Sequence, residues 1–148
     1  MGEVTGGQAV VELLKAERVR YMFGIVGATF LDVLDALYDD KSVEYINVRH
    51  EQAGAFMADG LARVTGLPGV CLVTSGPGAS NLVTGVAVAY VAHSPVVAIV
   101  GGLAREHYQK DAFQELRRWP SQGNLPQPER RRPRRLDAIS ETVSSLSR

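Results

Sequence analysis

Apolar residues recur along the chain at two alternating spacings, and the alternation predicts the elements. Over residues 5–17, Ala9, Val10, Leu13, Leu14 and Ala16 fall at near-helical intervals behind Thr5, a suitable helix cap. The short apolar run 21–26 stops at Gly27 and reads as a strand. Phe30, Leu31, Val33, Leu34 and Leu37 then form a second helical stripe that ends near Asp39 and Asp40. The pattern repeats as a strand over 43–48, followed by a helix in which Ala53, Phe56, Met57, Gly60, Leu61 and Val64 share one face and which stops at Gly66. A third strand spans 70–74 and runs into Ser75-Gly76-Pro77-Gly78. The helix expected over 79–92 is apolar on nearly every side, which predicts burial all round. A fourth strand, 95–100, ends at Gly101-Gly102.

Strands alternating with helices predict an α/β fold: a three-layer, open, mainly parallel sheet of at least four strands with helices on both faces, because each crossover returns the chain to the same end of the sheet. The glycine turns after strands one, three and four then share the carboxyl edge, where open α/β sheets bind ligands.

Charge divides the chain. The net charge is zero over 148 residues, yet residues 1–115 carry 8 basic and 13 acidic side chains and residues 116–148 carry 8 arginines and 3 acids. A domain over 1–115 is therefore expected, followed by a basic, Pro/Arg-rich linking tail over 116–148 with a short helix at 136–147. The composition, 45% apolar and 22% charged, is that of a globular domain. No stretch approaches the roughly 20 apolar residues of a membrane span, and the start lacks a secretion signal's layout, so a cytoplasmic location is expected, without membrane or nucleic-acid partners. The single cysteine, Cys71, lies in an apolar strand and reads as a buried, inert thiol.

Several chemistries fail on the residues they require. Gly76-Pro77-Gly78-Ala79-Ser80-Asn81 has two glycines of a dinucleotide turn but Asn81 at the third position, and no acid follows between Ala79 and Ala104 to hold a ribose. Neither Ser75 nor Ser80 is framed as a hydrolase nucleophile, and a phosphate loop ending in Gly-Lys-Ser/Thr is absent. His50, His93 and His107 are not spaced as metal ligands, and no metal site is expected. What remains is Arg49-His50-Glu51-Gln52, which sets a carboxylate where a strand becomes a helix at the ligand edge. A helix start favours an acid by some tenths of a kcal/mol in any case, so position alone assigns Glu51 no chemistry.

The motifs taken together do. Phe23-Gly24-Ile25-Val26-Gly27, Arg49-His50-Glu51-Gln52, the stretch from Ala58 to Gly66, Pro68-Gly69-Val70, Thr74-Ser75-Gly76-Pro77-Gly78-Ala79-Ser80-Asn81 and Asp111-Ala112-Phe113-Gln114-Glu115 follow in one order. This set closely resembles the N-terminal pyrimidine-binding domain of thiamine-diphosphate-dependent enzymes of the acetolactate synthase, pyruvate oxidase and benzoylformate decarboxylase family. The resemblance implies lyase or transferase chemistry on 2-oxo acids, with Glu51 catalytic through a hydrogen bond to N1′ of the cofactor's aminopyrimidine. It implies further cofactor contacts from Val26, Gly27, Thr74, Pro77 and Asn81, with Gly24 and Gly27 letting main chain approach the ring. Phe113 and Gln114 are implied on the substrate or partner side. Val26 departs from the proline commonest there in synthase-like members.

In that family Mg²⁺ and the diphosphate are held by a second domain through a Gly-Asp-Gly motif. Here Ala58 precedes Asp59-Gly60, on a helix. The resemblance therefore implies a partner, the diphosphate-binding domain of another subunit or chain, in a homodimer or hetero-oligomer, and an isolated chain without turnover. A flavin (FAD) is left open by the residues. Because the resemblance stops near Glu115, a truncated or out-of-frame product is one expectation. A natural subunit of a two-chain decarboxylase and a non-catalytic binding protein are the others.

Overall fold

The computed structural model describes residues 4–107 and 112–115. They belong to a compact unit, Met1–Glu115. The expected tail and its helix at 136–147 lie outside the described residues.

Helix α1, Gly6–Ala16, begins behind Thr5, whose hydroxyl accepts the Gln8 N–H while the Gln8 side chain accepts the Thr5 N–H. This reciprocal cap satisfies two amide donors that a helix start leaves open. Strand β1, Tyr21–Gly24, leads through a 3₁₀ turn, Ala28–Phe30, into α2, Leu31–Asp39. Then follow β2, Glu44–Asn47, α3, Glu51–Thr65, β3, Gly69–Val73, α4, Pro77–Val91, and β4, Val96–Val100. Glycine at position 66, in the left-handed conformation, closes α3. Two starts come earlier than the apolar spacing predicts: His50 caps α3 by accepting the Gln52 N–H, and Pro77, with its backbone angle preset, opens α4.

The strands form one parallel sheet in the order β2-β1-β3-β4, as the alternation predicts. Side chains alternate across it. Met22, Val70 and Leu72 join Val11, Leu14, Val33 and Leu37 under α1 and α2. Phe23, Cys71 and Val73 join Ala55, Ala58 and Leu82 under α3 and α4. Chain direction across the sheet reverses between β1 and β3, because β1 continues to β2 on one side and β3 to β4 on the other. Such a reversal opens a crevice at the carboxyl ends of the two central strands.

The expectation that α4 is buried all round is corrected. Its small residues Gly78, Gly85 and Ala89, with Leu82, form the packed face, while Val83 and Val91 are 64% and 77% exposed and Val88 and Tyr90 also face outward. One layer of strands covers only one side of a helix, so an apolar far side stays in water. Phe56, Met57 and Val64 of α3 are exposed as well. Among the described residues, no helix is long and apolar enough to cross a membrane.

Cys71 is fully buried and its thiol is pushed up to about 11 by that burial, which agrees with an inert role. Between an unfolded value near 9 and this folded value, the unfolded chain binds fewer protons. Stability is therefore complete below pH ~9 and is expected to fall by about 1 kcal/mol per pH unit as pH rises toward 11. Urea unfolding of the wild type and Cys71→Ala across this range checks it, since the variant lacks that contribution. Leu72 is buried at the centre of the sheet. Leu72→Ala is expected to lower unfolding free energy by about 2–5 kcal/mol, measured the same way.

Candidate functional site

Glu51 is the first residue of α3 and is 7% exposed at the carboxyl edge of the sheet. One turn on, Gly54 sits against Phe23 and Gly24, which places the start of α3 over the end of β1. From the other side, the Nδ2 of Asn81, on α4, donates to the Glu51 Oε2 at 2.8 Å. The carboxylate thus lies between the ends of β1 and β3, near the N-terminal ends of two helices, whose dipoles favour a negative charge there. Among the described residues, its Oε1 accepts no hydrogen bond and no cation pairs with it.

Asp59 shows what a purely structural buried acid looks like on the same helix. It is clasped by Arg63, Nε to both carboxylate oxygens at 3.0 Å, and this guanidinium holds its carboxyl below the usual range. Glu51 has no such counter-charge.

The loop after β3 supplies the opposite wall. Gly76 has φ 62° and ψ −116°, a conformation open to glycine, and this turn brings Pro77 and the start of α4 beside Glu51. A Cβ at Gly78 would stand 2.9 Å from the Thr74 Cγ2, with the Glu51 Oε1 at 3.6 Å, and one at Gly27 would stand 2.5 Å from the Thr74 Cβ, so neither place tolerates a larger residue without displacing Thr74. Thr74 is half-buried and shares a 3.0 Å hydrogen bond with the Thr29 hydroxyl. Gln114, in the left-handed conformation at φ 62°, packs its Cα and carbonyl against Gly76.

Of the residues singled out in the sequence, Glu51, Asn81, Thr74, Gly27 and the start of α4 come together, and Gln114 closes over the turn. Val26 is exposed at the rim, its N–H reaching the Asn47 Oδ1 at 3.4 Å. Phe113 is 86% exposed and covers no site wall among the described residues. Gly24 is corrected: a Cβ there would overlap the Leu72 carbonyl oxygen and lie 2.6 Å from the Tyr45 Oη, so its absence serves contact between strands rather than approach to a ring. His50 caps α3 through its Nδ1. Sequence reasoning did not single out Thr29, Asn47 or Tyr45, and it weighed Ser75 only as a nucleophile; Ser75 is buried and its Oγ has no partner among the described residues. Tyr45 and Asn47 lie within β2, and Thr29 and Ser75 in the turns after β1 and β3, so no single local motif marks them.

Comparison with known proteins shows the family. Residues 4–122 match the family described as "Thiamine pyrophosphate enzyme, N-terminal TPP binding domain". A probable acetolactate synthase large subunit of Methanocaldococcus jannaschii is 50% identical over 111 residues, 75% of this chain and 19% of that protein. The acetolactate synthase large subunit of Haemophilus influenzae is 47% identical over 115 residues, 78% of this chain and 20% of that protein. The acetolactate synthase isozyme 3 large subunit of Escherichia coli is likewise 47% identical over 115 residues. The matched stretch spans about a fifth of the length of these curated relatives. The chain belongs to the thiamine pyrophosphate enzyme family, through that family's N-terminal TPP-binding domain.

Proposed function

We propose that this chain forms the pyrimidine half of a thiamine-diphosphate site in an acetolactate-synthase-like enzyme acting on 2-oxo acids. The observation that carries the reading is a buried carboxylate with one oxygen fixed by Asn81 and the other left without a partner at the mouth of the crevice. The Oε1 is not sealed from solvent, so a ring nitrogen that brings a proton could reach it and replace water there. The fit is also steric. Gly27 and Gly78 keep side chains off the walls beside Thr74 and Glu51, where a flat heteroaromatic ring would lie.

Bound there, thiamine diphosphate would supply a thiazolium carbon as the latent nucleophile. The chain's own part is to orient the ring and govern one proton. Glu51 holds it at the pyrimidine N1′, Asn81 fixes the carboxylate's rotation, and Val26, Gly27, Thr74 and Pro77 border the ring. Phe113 and Gln114 face the substrate or a partner.

The diphosphate and Mg²⁺ belong to a partner's diphosphate-binding domain, since this sequence has no Gly-Asp-Gly motif. The exposed apolar residues of α3 and α4 support such a partner, because they run back from the helix starts that carry Glu51 and Asn81. Alone, the chain binds weakly and does not turn over.

Titrating thiamine diphosphate into the isotopically labelled 148-residue chain is expected to shift the amide signals of Gly27, Thr74 and Gly78 and the carboxyl carbon of Glu51. Affinity should not depend on Mg²⁺ and should drop about tenfold or more in Glu51→Gln, which keeps the shape but loses the charge-assisted bond. Shifts elsewhere only, or none, overturn the reading. With a complementing diphosphate-domain chain, Glu51→Gln is expected to lower turnover by about 10²–10⁴-fold with the fold intact, measured by 2-oxo acid consumption.

A further inference from the structure

The β1–β3 ladder stops early. Pairing runs Met22 with Val70 and Phe23 with Cys71, whereas β3 and β4 stay paired as far as Val73 and Val100. In this register the next rung would be the Ile25 N–H to the Leu72 carbonyl, because alternate residues of a parallel strand point their backbone groups to the same neighbour. That rung is not made among the described residues. The Leu72 carbonyl instead accepts the Tyr45 hydroxyl at 2.9 Å.

Tyr45 stands on β2, two strands away, and pairs with Met22. It reaches Leu72 by lying across Gly24, where a Cβ would come within 2.6 Å of its Oη. Its ring is steadied by Phe30, with centroids 6.1 Å apart. The Tyr45 hydroxyl occupies the side of the Leu72 carbonyl that lies over Gly24, and among the described residues the backbone of 25–27 makes no ladder bond to β3. The loop then follows β2, where the Val48 N–H donates to the Gly24 carbonyl at 2.8 Å and the Asn47 amide oxygen meets the Val26 N–H. Its far end, Gly27, comes to rest on Thr74 opposite Glu51.

We propose that Tyr45 is a positioning residue of the site: by donating to the Leu72 carbonyl across Gly24 it ends the β1–β3 ladder and directs residues 25–27 away from the sheet, forming the crevice wall that faces Glu51. The structural link stands on geometry alone, and its consequence for cofactor rests on the pyrimidine half-site reading. Burial pushes the Tyr45 phenol above its ordinary value, so it stays a donor beyond the pH at which a free phenol ionises.

The experiment is amide hydrogen exchange and NMR on the full chain, comparing the wild type, Tyr45→Phe and a chain with 3-fluorotyrosine at position 45, each titrated with thiamine diphosphate. In the wild type the Ile25 amide is expected to exchange fast; slow exchange there overturns the proposal without any variant. Tyr45→Phe keeps the ring on Phe30 and removes only the donor. It is expected to protect the Ile25 amide by tenfold or more, to shift the Gly27 amide and Glu51 carboxyl signals, and to weaken thiamine diphosphate binding several-fold, whereas 3-fluorotyrosine, which keeps the donor, restores the wild-type pattern. An effect confined to melting temperature, with Ile25, Gly27 and Glu51 unchanged, makes Tyr45 merely structural and overturns it, as does a displaced loop with unaltered affinity. If the wild type ignores thiamine diphosphate, the half-site reading falls, and the exchange and signal shifts alone decide whether Tyr45 directs the loop.

Discussion

Withdrawing a carboxylate from water costs several kcal/mol unless neighbours replace the lost hydrogen bonds or charge. This fold replaces them at Asp59 with Arg63, and at Glu51 only halfway, with one amide from Asn81. The start of α3 must lie over the end of β1 to bury Glu51, and the start of α4 must lie close enough for Asn81 to reach it. Both requirements fall on the turns at the carboxyl edge, and the rest of the domain keeps those turns in place.

The parallel sheet makes that placement possible. Order β2-β1-β3-β4 sends the two central strands' exits apart, so the loops after β1 and β3 face each other across a gap. The same topology leaves one layer of strands with two helices on each face, and the outer sides of α3 and α4 remain apolar and in water. Both features, the exposed apolar surface and the carboxylate held by one amide, fit the proposed half-site.

Much of this was legible residue by residue. Thr5 as a cap, Gly66 as a stop, the period-two and period-3.6 runs and the glycine turns are local signals, governed by backbone sterics and side-chain alternation over a few residues. Glu51 was singled out only through the set of motifs around it, since a glutamate at a helix start is ordinary. The burial expected of α4 failed because an all-apolar composition says that a helix prefers cover, not that cover is present. Gly24 was misread for a related reason: a glycine permits close approach, but what approaches it depends on Tyr45 and Leu72, 21 and 48 positions further along the chain.

By itself, then, the sequence determined the order and type of the elements, the direction of the sheet and the family, because these follow from short-range spacing and from motifs read in series. Only the tertiary structure decided which oxygen of Glu51 is held and which is open, that Asp59 is neutralised while Glu51 is not, and that a tyrosine hydroxyl from β2 takes the place of a ladder rung. Those outcomes depend on distances between residues far apart in the chain, set by how the layers pack rather than by any local preference.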